Sequence, residues 1–159
     1  MSNEQRLIRR YLARYRNLKA KEEYLQRELN ELREDFKTSA LHAINANGGG
    51  GSSSAAHSPV PDYLIKEQEL IEKISKRKEM AGKALAEIVG VIEMLSDKDY
   101  ENIVVSCKYI SRMTCDEIAE FIPCSRATVF RILDKAMDTL LKMPKVQKIL
   151  KKYEKSLKN

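Results

Sequence analysis

Thr114–Lys142, TCDEIAEFIPCSRATVFRILDKAMDTLLK, is the stretch on which the reading of the fold turns. Thr114 and Glu117 stand three residues apart ahead of an apolar run, a capping-box arrangement that predicts a helix opening at Cys115. Ser125 follows Pro123 and Cys124 and is the predicted N-cap of a second, longer helix. With Cys115 as the first position, Ile118, Ala119, Ile122, Val129 and Ile132 fall where a helix-turn-helix needs apolar or small side chains. Ala119 sits where the second helix crosses closely, and a larger side chain there would push the two apart. Pro123 stands where such turns usually carry a left-handed glycine. Proline cannot take a positive φ, so the turn must differ locally or the register must shift by one.

The same spacing puts Ser125, Arg126, Ala127, Thr128, Phe130, Arg131 and Asp134 on or beside the outward face of the second helix. In a helix-turn-helix the start of that helix enters the major groove of duplex DNA. Ser125, Arg126, Thr128, Phe130, Arg131 and Lys135 are therefore the candidate DNA-contacting residues. Arg126 and Arg131 have the donors for bidentate contact with guanine or for a phosphate. Ser125 has two readings, as a cap and as a phosphate ligand. Phe130 also has two, as an exposed contact for a thymine methyl or a partner protein and as a core residue.

Upstream, Ser96 with Asp99 three residues on predicts another helix start, whose apolar face would be Tyr100, Ile103, Val104, Cys107 and Ile110. Residues 96–142 are thus expected to form a three-helix head. Ahead of it lie two long helical seams. Residues 3–45 carry Ile8, Tyr11, Tyr15, Leu18, Leu25, Leu29, Leu32 and Phe36 at alternating three and four spacing, with Glu22 as the interruption. Residues 62–95 repeat the pattern with Leu64, Ile71, Ile74, Ala81, Leu85, Ile88, Ile92 and Leu95, with Asp62 as a predicted N-cap. Between them ANGGGGSSSAAHSPVP, residues 46–61, reads as a flexible tether. The fold class is all-α: residues 1–95 as a helical hairpin, or as a coiled coil with a second copy, joined to the 96–142 head. A Glu22–Lys78 pair setting the register, and a solvated place for both charges, are both open at this level.

The tail, 143–159, places Val146, Ile149, Leu150, Tyr153 and Leu157 at helical spacing among lysines, with Pro144 at the expected start. It is either a phosphate-facing helix or a solvated one, packed on the hairpin or fraying. The net charge of +6 is unevenly placed. Residues 1–21 hold seven Lys/Arg against one acid, residues 142–159 again seven against one, and residues 96–141 six against eight. Basic ends favour a polyanionic partner.

Several classes are not expected. Cys107, Cys115 and Cys124 form no CxxC pair and lie far from His42 and His57, so reduced thiols and no metal are expected. There is no phosphate-cradling glycine loop and no nucleophile–base constellation, so neither an enzyme nor a cofactor is expected. No apolar run is long enough for a membrane span, and Arg6, Arg9 and Arg10 are not followed by a signal core, so a cytoplasmic chain is expected.

The head resembles region four of sigma-70 family factors at Glu117-Ile118, Ser125-Arg126, Val129 and Lys135-Ala136-Met137. Over more of the chain it resembles phage late-transcription regulators of the ArpU/RinA type. The shared residues are Tyr109-Ile110, Thr114, Glu117-Ile118-Ala119, Ser125, Thr128-Val129-Phe130-Arg131 and Ala136. The resemblance implies double-stranded DNA as partner and activation of bacteriophage genes with host RNA polymerase. It also implies location in the bacterial host cytoplasm. Two other readings stay open: the DNA-recognition small subunit of a packaging terminase, and a polymerase adaptor that does not read bases. Either use of the coiled coil allows a homo-oligomer.

Overall fold

Side-chain caps and prolines set where the helices begin. The computed structural model describes residues 1–46 and 59–159, which form seven α-helices and no strand. α1 (Asn3–Leu12) opens on Ser2, whose Oγ accepts from the Gln5 N–H at 3.1 Å. α2 (Arg14–Ala46) follows after one distorted residue, Ala13. The Ala13 N–H still reaches the Arg9 carbonyl, and the Asn17 N–H reaches that of Ala13. The single helix expected over 3–45 is therefore present with one break. α3 (Pro59–Ile92) starts ahead of Asp62, so Asp62 lies in the first turn and is not the cap expected from the sequence. Pro59 and Pro61 fit there because first-turn N–H groups have no intrahelical acceptor. Of the tether expected over 46–61, residues 47–58 lie outside the described residues. Among the described residues no helix is long and apolar enough to cross a membrane.

The chain divides into two compact units: Met1–Leu18 with Met80–Asn159, and Lys19–Glu79. In the second unit α2 and α3 pair within one chain, as a hairpin. Phe36 stacks on Tyr63 with ring centroids 4.0 Å apart, Arg33 Nε lies 3.6 Å from Glu67 Oε2, and Leu29 and Ile74 are buried. Glu22 is buried, and its ion pair is with Lys19 on its own helix at 3.1 Å. Lys78 is exposed, so the Glu22–Lys78 register pair weighed from the sequence is not formed.

The first unit is larger than the three-helix head expected over 96–142. It comprises α1, the start of α2, the end of α3, a 3-10 turn at Asp97–Asp99, α4 (Glu101–Tyr109), α5 (Cys115–Phe121), α6 (Arg126–Leu141) and α7 (Pro144–Lys158). Ser96 accepts from the Lys98 N–H at 3.2 Å, but Tyr100 then turns left-handed at φ 57°. The helix expected to begin just after Ser96 therefore starts at Glu101. Its buried face rotates accordingly: Val104, Val105, Cys107 and Tyr109 are buried, whereas Tyr100 and Ile103, expected inside, are exposed. Asn102 Nδ2 donates to the Ile92 carbonyl at 3.2 Å and satisfies the end of α3.

One apolar core joins these elements. Ile8 and Leu12 from α1, Ile88 from α3, Ile118 from α5, Leu133 from α6 and Val146 from α7 are all essentially inaccessible. The amphipathic faces of α1 and α7 are buried in this same core. Tyr11 meets Tyr153 edge-on at 5.3 Å, and the Arg14 guanidinium lies 4.0 Å from the Tyr11 ring centroid. The apolar sites of α5 and α6 sit on a pre-capped start. Thr114 Oγ1 accepts from the Glu117 N–H at 3.2 Å, and Glu117 Oε2 accepts from the Thr114 N–H at 2.9 Å. Thr114→Ala removes half of this reciprocal cap and is expected to cost about 1 kcal/mol, read as a lowered midpoint in urea unfolding.

Candidate nucleic-acid interface

The turn between α5 and α6 accommodates Pro123 without any left-handed residue. Ile122 is extended at φ −107° and ψ 104°, the conformation a residue before proline prefers. Its N–H reaches the Ile118 carbonyl at 2.8 Å, and the Cys124 N–H closes the turn on the Ala119 carbonyl at 3.3 Å. Ser125 is extended as well and caps α6 by accepting from the Thr128 N–H at 3.1 Å. The positive-φ residues of the described chain, Tyr100 and Arg112, lie outside this turn. The local departure expected from Pro123 is therefore a turn with no positive φ, flanked by extended Ile122 and Ser125.

Ile118 and Val129 are fully buried at the crossing of α5 and α6, with Ala119, Ile122 and Ile132 half-buried against the same core. Leu133 and Met137 carry more of the α6 anchoring than the motif spacing suggested. They extend the apolar stripe by one and two turns beyond Val129, which ordinary helical periodicity would have shown.

The opposite face of α6 carries the candidate contacts. Arg126, Ala127, Phe130, Arg131, Asp134 and Lys135 are exposed, and Phe130 is 44% accessible, so its exposed reading applies. Arg126 lies over the Phe130 ring at 5.5 Å, one turn apart on the helix. Its Nε is also 3.6 Å from Asp116 Oδ1, a pair between two exposed side chains that a stronger anion displaces at little cost. Ser125 and Thr128 are engaged with each other, their hydroxyls 2.8 Å apart, so both hydroxyls serve the cap. Arg131 has no ion-pair partner among the described residues and is the least encumbered cation of the face.

Two residues of this face are tied back to the fold. Lys135 Nζ lies 3.6 Å from Asp99 and 3.7 Å from Glu101, whose carboxylate is buried at the start of α4. Asp134 pairs with Arg9 of α1, and Asp138 accepts from Gln5 Nε2 at 2.6 Å. α1 therefore flanks α6 along its second half and leaves its first two turns open. Arg9 also stands beside Tyr109. Burial pushes the Tyr109 hydroxyl above its ordinary range, and the adjacent guanidinium pulls the other way. Sequence reasoning missed Arg9, Gln5 and Glu101. No local spacing links residue 9 to residue 134; the only hint was the surplus of arginine in α1.

Burial likewise raises the Cys107 thiol. Cys107, Cys115 and Cys124 are all free thiols. Among the described residues no cluster of His, Cys, Asp and Glu is arranged to hold a metal ion.

Residues 45–141 match the family model described as "Protein of unknown function (DUF1492)". No curated protein and no solved structure matches the chain. The matched span covers more than half of the sequence and ends on the last residue of α6, leaving α1 and α7 outside it. On that match the chain belongs to the DUF1492 family.

Proposed function

We propose that this protein is a sequence-specific DNA-binding transcriptional regulator in which α6 reads the major groove. The carrying observation is the open face of the first two turns of α6, where Arg126, Phe130 and Arg131 project from a helix locked across α5 by Ile118 and Val129. Guanidinium groups suit guanine O6 and N7, and the Phe130 ring suits a thymine methyl. The Ser125 cap orders the start of α6, whose N-terminus adds a favourable field for phosphate. The likeness of the head to sigma region four and to ArpU/RinA-type regulators supports a phage activator of late genes acting at promoters with host RNA polymerase.

Footprinting across the genome that encodes the protein tests this reading. A protected site next to a promoter is expected, and Arg126→Ala with Arg131→Ala should abolish the protection. Protection that is absent, or indifferent to both substitutions, contradicts it.

A polymerase adaptor that does not read bases is the second reading. It is favoured by Phe121, which ends α5 with 64% of its surface exposed. On that reading co-purification with polymerase survives loss of Arg126 and Arg131 and fails with Phe121→Ser.

A further inference from the structure

α7 separates its chemistry cleanly by face. At 100° per residue, Val146, Ile149, Leu150, Tyr153 and Leu157 occupy one sector. Lys145, Lys148, Lys151, Lys152, Lys155 and Lys158 occupy the opposite one. The apolar sector is used by the fold: Val146 and Leu150 are buried, and Tyr153 meets Tyr11. The lysine sector is exposed, and none of its six ammonium groups has an ion-pair partner among the described residues. Glu154, the single acid of the helix, falls on its flank. A helix of 15 residues spans roughly 22 Å, so this is a dense ridge of unneutralised charge held on a packed scaffold.

A basic amphipathic helix suits a membrane surface only when its apolar face is free to enter the lipid. Here that face is committed to the core. A base-reading role is also disfavoured. Lysine is a compact, strongly hydrated point charge without the planar fork that reads guanine bidentately. What remains is attraction to a repeating anion, which in duplex nucleic acid is the phosphodiester backbone.

We propose that the lysine face of α7 is a second nucleic-acid contact, a base-independent ridge for the phosphates of duplex DNA. The choice of duplex DNA rests on the proposed reading by α6. The ridge supplies the charge that the head lacks, since residues 96–141 hold more acids than bases. α6 then sets which site is bound, and α7 sets how strongly any duplex is held.

The test is the salt dependence of affinity of the full chain for a duplex of about 40 base pairs, in a footprinted and a scrambled sequence, between about 50 and 200 mM salt. Lys148→Gln with Lys152→Gln and Lys155→Gln is expected to flatten the slope of log affinity against log salt by about 2 to 3 for both duplexes. Over that range the wild type should therefore lose about 40-fold more affinity than the variant. The ratio between the two duplexes should not change. The same three positions changed to arginine should keep the wild-type slope, which separates lost charge from lost packing. A slope unchanged by the glutamine variant overturns the proposal. So does binding that moves with the glutamines on phosphatidylserine vesicles and not on DNA. If the wild type binds both duplexes equally and Arg126→Ala with Arg131→Ala changes nothing, the reading by α6 fails. The flattened slope would then still uphold the ridge.

Discussion

Replacing Ile8 and Leu12 by alanine is expected to unfold the compact unit that carries the helix-turn-helix, although both residues lie outside the span that matches the family. Both are completely buried and belong to the same core as Ile118, Val129 and Leu133. Each truncation removes apolar surface and leaves a cavity, at a cost of about 2–5 kcal/mol. The pair lies one helical turn apart, so the two costs need not add. Even a partial sum approaches the roughly 5–15 kcal/mol that holds a typical domain together. Chemical denaturation should show the loss directly, and cleavage of the chain after residue 12 should have the same effect. A variant that unfolds at the wild-type midpoint would mean that α1 is not part of the core.

Arg131→Ala is expected to give the largest single loss of sequence-specific DNA affinity, while Lys135→Ala is expected to act mainly on stability. The two residues are one turn apart on α6, and both are candidate contacts from the sequence. The structure separates them. Arg131 is exposed with no partner among the described residues, so its guanidinium is free for a base edge. A bidentate contact to guanine contributes about 1–3 kcal/mol of discrimination, which is roughly 5- to 150-fold in affinity. Lys135 is held near Asp99 and the buried Glu101 carboxylate. Removing it leaves that carboxylate without its cation, a cost on the folded state that the α4 N-terminus partly offsets. Titration of a bound duplex with each variant, alongside urea unfolding, distinguishes the two. Equal losses of affinity with unchanged stability would contradict the assignment.

What the sequence made legible was local. The Thr114/Glu117 box and the Ser125 cap could be read because a side chain bonding a backbone N–H three residues on has a fixed spacing. The burial of Ile118 and Val129 and the exposure of Arg126 and Arg131 followed from helical periodicity. Pro123 marked where the turn departs from the usual one, since its ring forbids a positive φ at that position.

What escaped was set by tertiary packing. Tyr100 is not a residue type that announces a positive φ, so the start of α4 was placed too early and its buried face misjudged. The seam through Ile8 and Tyr11 was read as part of a long coiled coil. Nothing in a heptad pattern tells whether its partner is another long helix or a compact head. The basic tail posed the same difficulty. Its apolar stripe left a docked and a fraying helix both open, and did not name the core that Val146 and Leu150 enter. The ion pairs of Lys135 were likewise out of reach, because Asp99 and Glu101 lie on other elements.

Selection of bound duplexes from a randomised pool, at about 150 mM salt where nonspecific charge binding is screened, tests most directly whether α6 reads bases. The expected result is one enriched motif containing a guanine whose preference is lost when Arg131→Ala replaces the wild type. Recovery of unenriched sequence from the wild type, or a motif that Arg131→Ala and Arg126→Ala leave intact, would contradict it.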